Sequence, residues 1–233
     1  MEQLQLKNLT VGEIVANDFR TSSVFKKAGI DFCCGGKQPL SEACREKGIN
    51  ELELENEIKR LAEEPVNEFM NFKNWEPVFL SNYIANTHHQ YVKKNLPELV
   101  FYTQKIASVH GENHPELVQV ATLFEQINTE LLQHLKNEEE VLFPAIQELV
   151  SSGSEKAKET IVSEITRMFG EHDFAGGAMD EINRVTKGYR VPDDGCNTYR
   201  VAFKLLEQFE DDLHVHVHLE NNILFPKALE LAK

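Results

Sequence analysis

The sequence predicts an all-α fold: a four-helix bundle made of two similar helix pairs, preceded by a small helical domain. Three observations predict it. From Pro77 onward, apolar residues recur at three- and four-residue spacing, the pattern of amphipathic helices. Strand-like alternation is weak throughout. One odd phrase is also written twice: HLKNEEEVLFP from His134 returns as HVHLENNILFP from His216.

Residues 1–66 read as a small helical domain broken into pieces by Gly29, Gly35-Gly36, Pro39 and Gly48. Thr10-Val-Gly-Glu13 has the form of a capping box. A helix fits Glu51 to Glu63, and the stretch EEPVNEFMNFKNWEP reads as a linker. Residues 75–233 form the bundle, with helices expected near 77–95, 97–109, 116–149, 156–187 and 198–231. HGENHP and GYRVPDDGCN are the obvious loops, and Pro144 and Pro226 should bend their helices.

Composition narrows the function. The chain has 233 residues, of which 41% are hydrophobic, enough for a real core. Its formal charge of −14 argues against nucleic acid and anionic membrane surfaces, which need a basic footprint. No apolar run approaches the ~20 residues of a membrane span. MEQLQLKNLT lacks the basic-then-apolar form of a secretory signal, so a cytoplasmic location is expected, with its four cysteines as thiols.

Aligned without gaps, 134–149 and 216–231 match at seven of sixteen positions. Ile127, Leu131, His134, Glu138 and Val141 step by four, three, four and three, and so do Phe209, Leu213, His216, Glu220 and Ile223. That is the core-facing seam of a bundle helix. Each seam thus places a histidine and a glutamate where apolar residues belong. Burying an unpaired carboxylate costs several kcal/mol, and a metal ion is the compensation that suits both groups.

The other long helices supply matching seams. Ala85, His89, Val92 and Leu96 make one; Ile161, Ile165, Met168, His172, Ala175 and Met179 make the other. His89 precedes His134 by 45 residues and His172 precedes His216 by 44. Each half therefore contributes a histidine and then His-x-x-x-Glu. His89, His134, Glu138, His172, His216 and Glu220 are too many donors for one tetrahedral zinc. They suit two metals bridged by the carboxylates, with iron or manganese favoured in a helical bundle. His88 neighbours His89 but is off the seam, which leaves His88 as the alternative first ligand. His214 and His218, themselves four apart, could pair, but the repeat selects His216, and the other two should lie nearer solvent. His110 and His114 fall in a loop. Glu130 and Glu171, beside His134 and His172 in sequence, are candidates to line a channel or support a ligand.

Cys33 and Cys34 are adjacent, too close along the chain for an unstrained disulfide. Gly35 and Gly36 let the backbone turn there, and Lys37 is placed to favour thiolate. They read as a redox or metal-relay pair, while Cys44 and Cys196 read as structural.

Two stretches carry a family resemblance. FRTSSVFKKAGIDFCCGGKQPLSEAC resembles the cysteine-containing N-terminal domain of the repair-of-iron-centres proteins, and the region from His89 through EHD at 171–173 to HVHLENNILFP resembles their hemerythrin-like domain. The resemblance implies two non-haem iron ions in a carboxylate-bridged di-iron centre. His89, His134, His172 and His216 would be terminal ligands, Glu138 and Glu220 the bridges, and Glu130 and Glu171 carboxylates near the centre; Cys33 and Cys34 hold the paired-cysteine position. It implies a stress-response role in restoring iron–sulfur clusters damaged by nitric oxide or peroxide, by donating iron. Damaged iron–sulfur proteins or cluster scaffold proteins are the expected partners, and a homodimer through the N-terminal domains is a family expectation. Two further readings are compatible with these residues: a nitric oxide reductase acting at the di-iron centre, and a hemerythrin-like protein that binds or senses oxygen or nitric oxide.

Overall fold

The computed structural model describes residues 6–63 and 71–233. The described residues are all-α, with one isolated bridge between Thr10 and Pro39 and no strand. The N-terminal piece holds α1 (Val11–Asn17), α2 (Ser22–Lys27), α3 (Leu40–Lys47) and α4 (Glu51–Glu63); a 3-10 turn lies between α1 and α2 and another between α2 and α3, and residues 48–50 join α3 to α4. The predicted capping box forms: the Thr10 hydroxyl accepts from Glu13 N–H at 3.3 Å, and the Glu13 carboxylate accepts from Thr10 N–H at 2.8 Å. Gly12 lets α1 press close, since a Cβ there would lie 2.3 Å from Asn222 Oδ1 and 2.9 Å from Gly36 O.

Of the predicted linker, residues 64–70 lie outside the described residues, and so does the expected boundary at residue 66. The part that follows is anchored. Phe72 is buried and packs edge-on against Phe19 and Trp75, and Trp75 against Tyr83.

The bundle is built from α5 (Pro77–Ile84), α6 (Gln90–His110), α7 (Glu116–Asn137), α8 (Phe143–Ser152), α9 (Glu155–Val185), α10 (Asn197–Leu219) and α11 (Phe225–Leu231). The break expected between residues 95 and 97 is absent: α6 runs through Pro97. Three single π turns, Ala85–His89, Glu138–Leu142 and Glu220–Leu224, join α5 to α6, α7 to α8 and α10 to α11. The bundle thus has four rods. They run up-down-up-down, each touching two neighbours, with the ring closed by α10 on α6.

The π turns correct the sequence register. A π turn carries one extra residue, so the apolar face slips by one position beyond it. Val141, expected in the seam, is exposed, and Leu142 is buried instead. Likewise Ile84 is buried five residues before His89, and Ala85 only partly. Pro144 and Pro226 sit in the first turn of the helix that resumes after each π turn, where a missing N–H is tolerated.

Apolar residues gather in two clusters. One contains Leu80, Ile84, Leu142, Ile165, Met168, Ile223 and Phe225. The other contains Val92, Leu96, Leu131, Leu135, Ala175, Leu213 and Val217, and is continuous with Phe25, Phe32 and Leu40 of the N-terminal piece. On every rod one cluster precedes the polar seam residues and the other follows them. The two clusters therefore sandwich a polar layer.

Candidate metal centre

That layer holds His89, His134, Glu138, His172, His216 and Glu220, each at most 2% exposed. Their donor atoms fall into two groups: His89, His216, Glu138 and Glu220, and His134, His172, Glu138 and Glu220. The two carboxylates belong to both. His134 Nε2 lies 3.2 Å from Glu138 and His89 Nε2 lies 3.4 Å from it. His216 Nε2 is 3.1 Å and His172 Nε2 3.3 Å from Glu220.

The π turns help make this convergence. They begin at Glu138 and Glu220 and end at His89. A local widening of the helix re-aims side chains there, as π turns commonly do at functional sites.

The cage fits a cation on three counts. His89 Nε2, both oxygens of Glu138 and Glu220 Oε2 are buried without a hydrogen-bond partner among the described residues. The Nε2 atoms of His134 and His172 lie 3.1 Å apart, a separation that a shared proton or a bound cation between the two nitrogens supports. Finally, the carboxylates create a strongly negative site. Burial works against charged imidazole at His89 and His134, yet Glu138 and its neighbours outweigh it and push both up to about 10. Burial and Glu220 oppose ionisation of Glu138, but His134 and His89 bring it down to about 2. Nitrogen and oxygen donors of this kind suit iron, zinc or manganese.

Outer partners fix the rings. His89 Nδ1 donates to Glu139 at 2.8 Å, and Lys93 reaches both Glu139 oxygens at 2.7 Å. His134 Nδ1 donates to Glu171 at 2.7 Å, and Arg167 donates to Glu171 at 2.6 Å. His172 Nδ1 donates to Asn221 Oδ1 at 2.8 Å. His216 Nδ1 has no partner among the described residues; its ring stacks on His88, which is held by Asp212 at 2.9 Å. Of the two carboxylates singled out beside ligands in the sequence, Glu171 thus supports His134. Glu130 is exposed, lines a surface groove with Thr129 and Phe174, and belongs to neither donor group. Glu139 escaped sequence reasoning because it looks like one more acid in a run of three.

The cysteine loop roofs the cage from the α9–α10 side. Cys34 Sγ donates to the carbonyl oxygen of His172 at 3.4 Å. Cys33 is buried, and its Sγ lies 3.0 Å from Asp31. Hydrogen bonding to Cys34 and burial push the Cys33 thiol well above its ordinary range. Lys37 does not relieve this: its ammonium sits 3.8 Å from the centroid of the Phe169 ring. Asn222 ties the loop down by donating to Phe32 O and Cys33 O at 3.2 and 3.1 Å.

Two other expectations are corrected. His218 is fully buried, not near solvent, because Phe32 of the N-terminal piece covers it; burial brings its imidazole down to about 4. Cys196, read as structural, is exposed, with His110 Nε2 3.1 Å from its sulfur. The His110 contact and backbone N–H groups at the start of α10 bring this thiol down to about 7.

Known proteins resemble this chain along nearly its whole length. Residues 7–62 match the family described as a domain of unknown function (DUF542), ScdA_N, and residues 82–228 match the hemerythrin HHE cation-binding domain. The iron–sulfur cluster repair protein YtfE of Pectobacterium carotovorum is 33% identical over 226 residues, 96% of this chain and 97% of that protein. YtfE of Yersinia pestis is 33% identical over 229 residues, 97% of this chain and 99% of that one. The iron–sulfur cluster repair protein ScdA of Staphylococcus haemolyticus is 33% identical over 217 residues, 93% and 96% of the two chains. Among the described residues no helix is long and apolar enough to cross a membrane. Both family models match this chain, relatives at 33% identity span nearly all of it, and the chain belongs to their family, the repair-of-iron-centres proteins.

Proposed function

We propose that this chain repairs damaged iron–sulfur clusters in the cytoplasm by donating iron from a carboxylate-bridged di-iron centre. Residues 1–66 act as the thiol domain and 75–233 as the iron-holding bundle. His89 and His216 would serve one iron and His134 and His172 the other, with Glu138 and Glu220 shared. One observation carries this: two buried donor groups have both carboxylates in common. Bound iron would supply Lewis acidity and one-electron chemistry, and it is also the cargo.

The protein's own groups set the terms of release. Glu139 and Glu171 hold the His89 and His134 rings with Nε2 inward, which keeps these imidazoles ready to bind. The bridging carboxylates are hard oxygen donors, and losing one would free an ion while the imidazoles hold its neighbour. Cys34, docked on the His172 carbonyl, offers a soft ligand one helical turn from the cage. A damaged iron–sulfur protein is the acceptor.

Iron per chain tests the site: about two in wild type, falling to one or none in Glu138→Leu and Glu220→Leu. Incubating iron-loaded protein with a nitric-oxide-damaged cluster enzyme and a chelator trap tests the role. Recovered activity above that with free iron supports donation. No gain rejects it, and nitrous oxide release by the reduced protein would point to nitric oxide reduction instead.

A further inference from the structure

A second polar cluster lies on the α9–α10 seam, outside the cage. Asp180 of α9 and Glu210 and His214 of α10 bring one donor atom each within 4.8 Å of one another. Glu210 and His214 stand four residues apart, the spacing that His134–Glu138 and His216–Glu220 use. Asp180 is exposed and His214 half-buried, so the cluster opens to solvent, whereas Glu210 is only 5% exposed.

No lysine or arginine pairs with the buried Glu210 carboxylate among the described residues, and the cationic group acting on it is His214 of the cluster itself. The two Glu210 oxygens accept from the Asn183 amide at 3.2 and 3.0 Å, which leaves each oxygen with further acceptor capacity. The lysines of this region are engaged elsewhere or distant: Lys26 pairs with Asp211, and Lys47 acts on Asp180 only through space. Tyr189 gives the independent sign of a ligand. It is 8% exposed, and its hydroxyl reaches toward Glu210 and Asn183 without meeting hydrogen-bond geometry with either. It is held there by three successive residues with positive φ, Lys187 at 56°, Gly188 at 71° and Tyr189 at 57°, with Tyr189 N–H donating to Thr186 Oγ1 at 3.1 Å.

We propose that Asp180, Glu210 and His214 form a second divalent-cation site, separate from the cage. Two carboxylates and one imidazole present an O2N donor set that neutralises a dication. The imidazole favours a first-row transition ion such as Fe2+, Mn2+ or Co2+ over Mg2+ or Ca2+. The Tyr189 hydroxyl then has a use: it donates to the oxygen of Glu210 that does not bind the ion, or to a water on the ion. The site sits on the same rods as His172 and His216, on the side where Asp31 of the cysteine loop also acts on Asp180. It does not depend on the repair role.

The test uses the untagged full chain loaded with iron and freed of excess. Co2+ is titrated in and followed by its visible absorption and by metal analysis. Wild type is expected to take up one Co2+ per chain beyond its iron. The double variant Asp180→Asn/His214→Ala, which changes one exposed and one half-buried side chain, is expected to lose that uptake with its iron content and thermal melt unchanged. No additional Co2+ in wild type, or uptake that survives in the double variant, would overturn the proposal. So would a parallel fall in cage iron, which would show the site is not separate. Because iron content is read separately, failure here is distinguishable from failure of the di-iron centre.

Discussion

The two copies of the repeated phrase do the same job at one position and different jobs at the next. Glu139 and Asn221 are equivalent in the repeat, and each supports the histidine of the preceding rod, His89 or His172. Glu139 is charged, partly exposed and tied to Lys93. Asn221 is neutral and buried. One residue later, Glu140 is exposed, while Asn222 ties down the cysteine loop. Duplicated helices keep a ligand set by keeping two residues. The rest of the phrase is free to adapt to whatever covers it, which is water on the first copy and the N-terminal piece on the second.

Changing the supports should have the largest effect. Glu139→Gln keeps the shape and removes the charge that makes His89 a good ligand. It should weaken metal binding about 10–100-fold in chelator competition, as outer-partner changes commonly do. Asn221→Asp gives the second copy the first copy's charge. Metal binding should tighten, while the metal-free chain loses about 1–3 kcal/mol because a new buried carboxylate has no cation beside it. If Glu139→Gln leaves affinity unchanged, the contrast between charged and neutral supports carries no function.

The next residue separates the copies more sharply. Asn222→Ala removes two hydrogen bonds to loop carbonyls and should cost about 1–2 kcal/mol in denaturant unfolding. Glu140→Ala, at the matching place, should stay within about 0.5 kcal/mol. Equal effects would mean the roof does not rest on Asn222.

Thiol chemistry reads the same roof at smaller cost. Thiolate is the form that reacts. At Cys196, brought down to about 7 beside His110, the alkylation rate should climb through pH 7 and level off above it. Cys33, buried and held well above its ordinary range, should stay unreactive over that span. Asn222→Ala should expose Cys33 to the reagent without changing Cys196. Mass spectrometry of partly alkylated protein would show it, and a Cys33 that reacts first in the unaltered chain would contradict the roof.

The bundle and its six inward donors were legible because both follow from spacing, with His89 on the three-and-four line of Val92 and Leu96; the choice of His89 over His88 rests on the fold, which turns His89 into the donor group. Legibility stopped where phase changes or where distant chain arrives. Counting in α-helical steps puts Val141 inside, and only the π turn, invisible to such counting, hands that place to Leu142. His218 read as solvent-facing because its cover, Phe32, is 186 residues away. Cys196 looked inert because His110 lies 86 residues away. Glu139 was hidden in a run of three acids because its partner, His89, is 50 residues away.

Adjacent glycines on α9 give the finest measure of how closely the roof touches the second helix pair. A Cβ on Gly177 would meet nothing within 4 Å, whereas one on Gly176 would lie 3.1 Å from Cys34 Sγ. Both sit inside a long helix, where alanine is favoured over glycine by roughly 0.5–1 kcal/mol. Gly177→Ala should therefore stabilise the chain by about that amount, seen as a higher thermal midpoint. Gly176→Ala should show little or none of the gain, because Cys34 must shift by a few tenths of an ångström and loosen its hydrogen bond to the His172 carbonyl. Alkylation of Cys34 should then speed up in Gly176→Ala and not in Gly177→Ala. Equal stabilisation with unchanged Cys34 reactivity would place the thiol away from α9 in solution, and with it the short route from cage to cysteine.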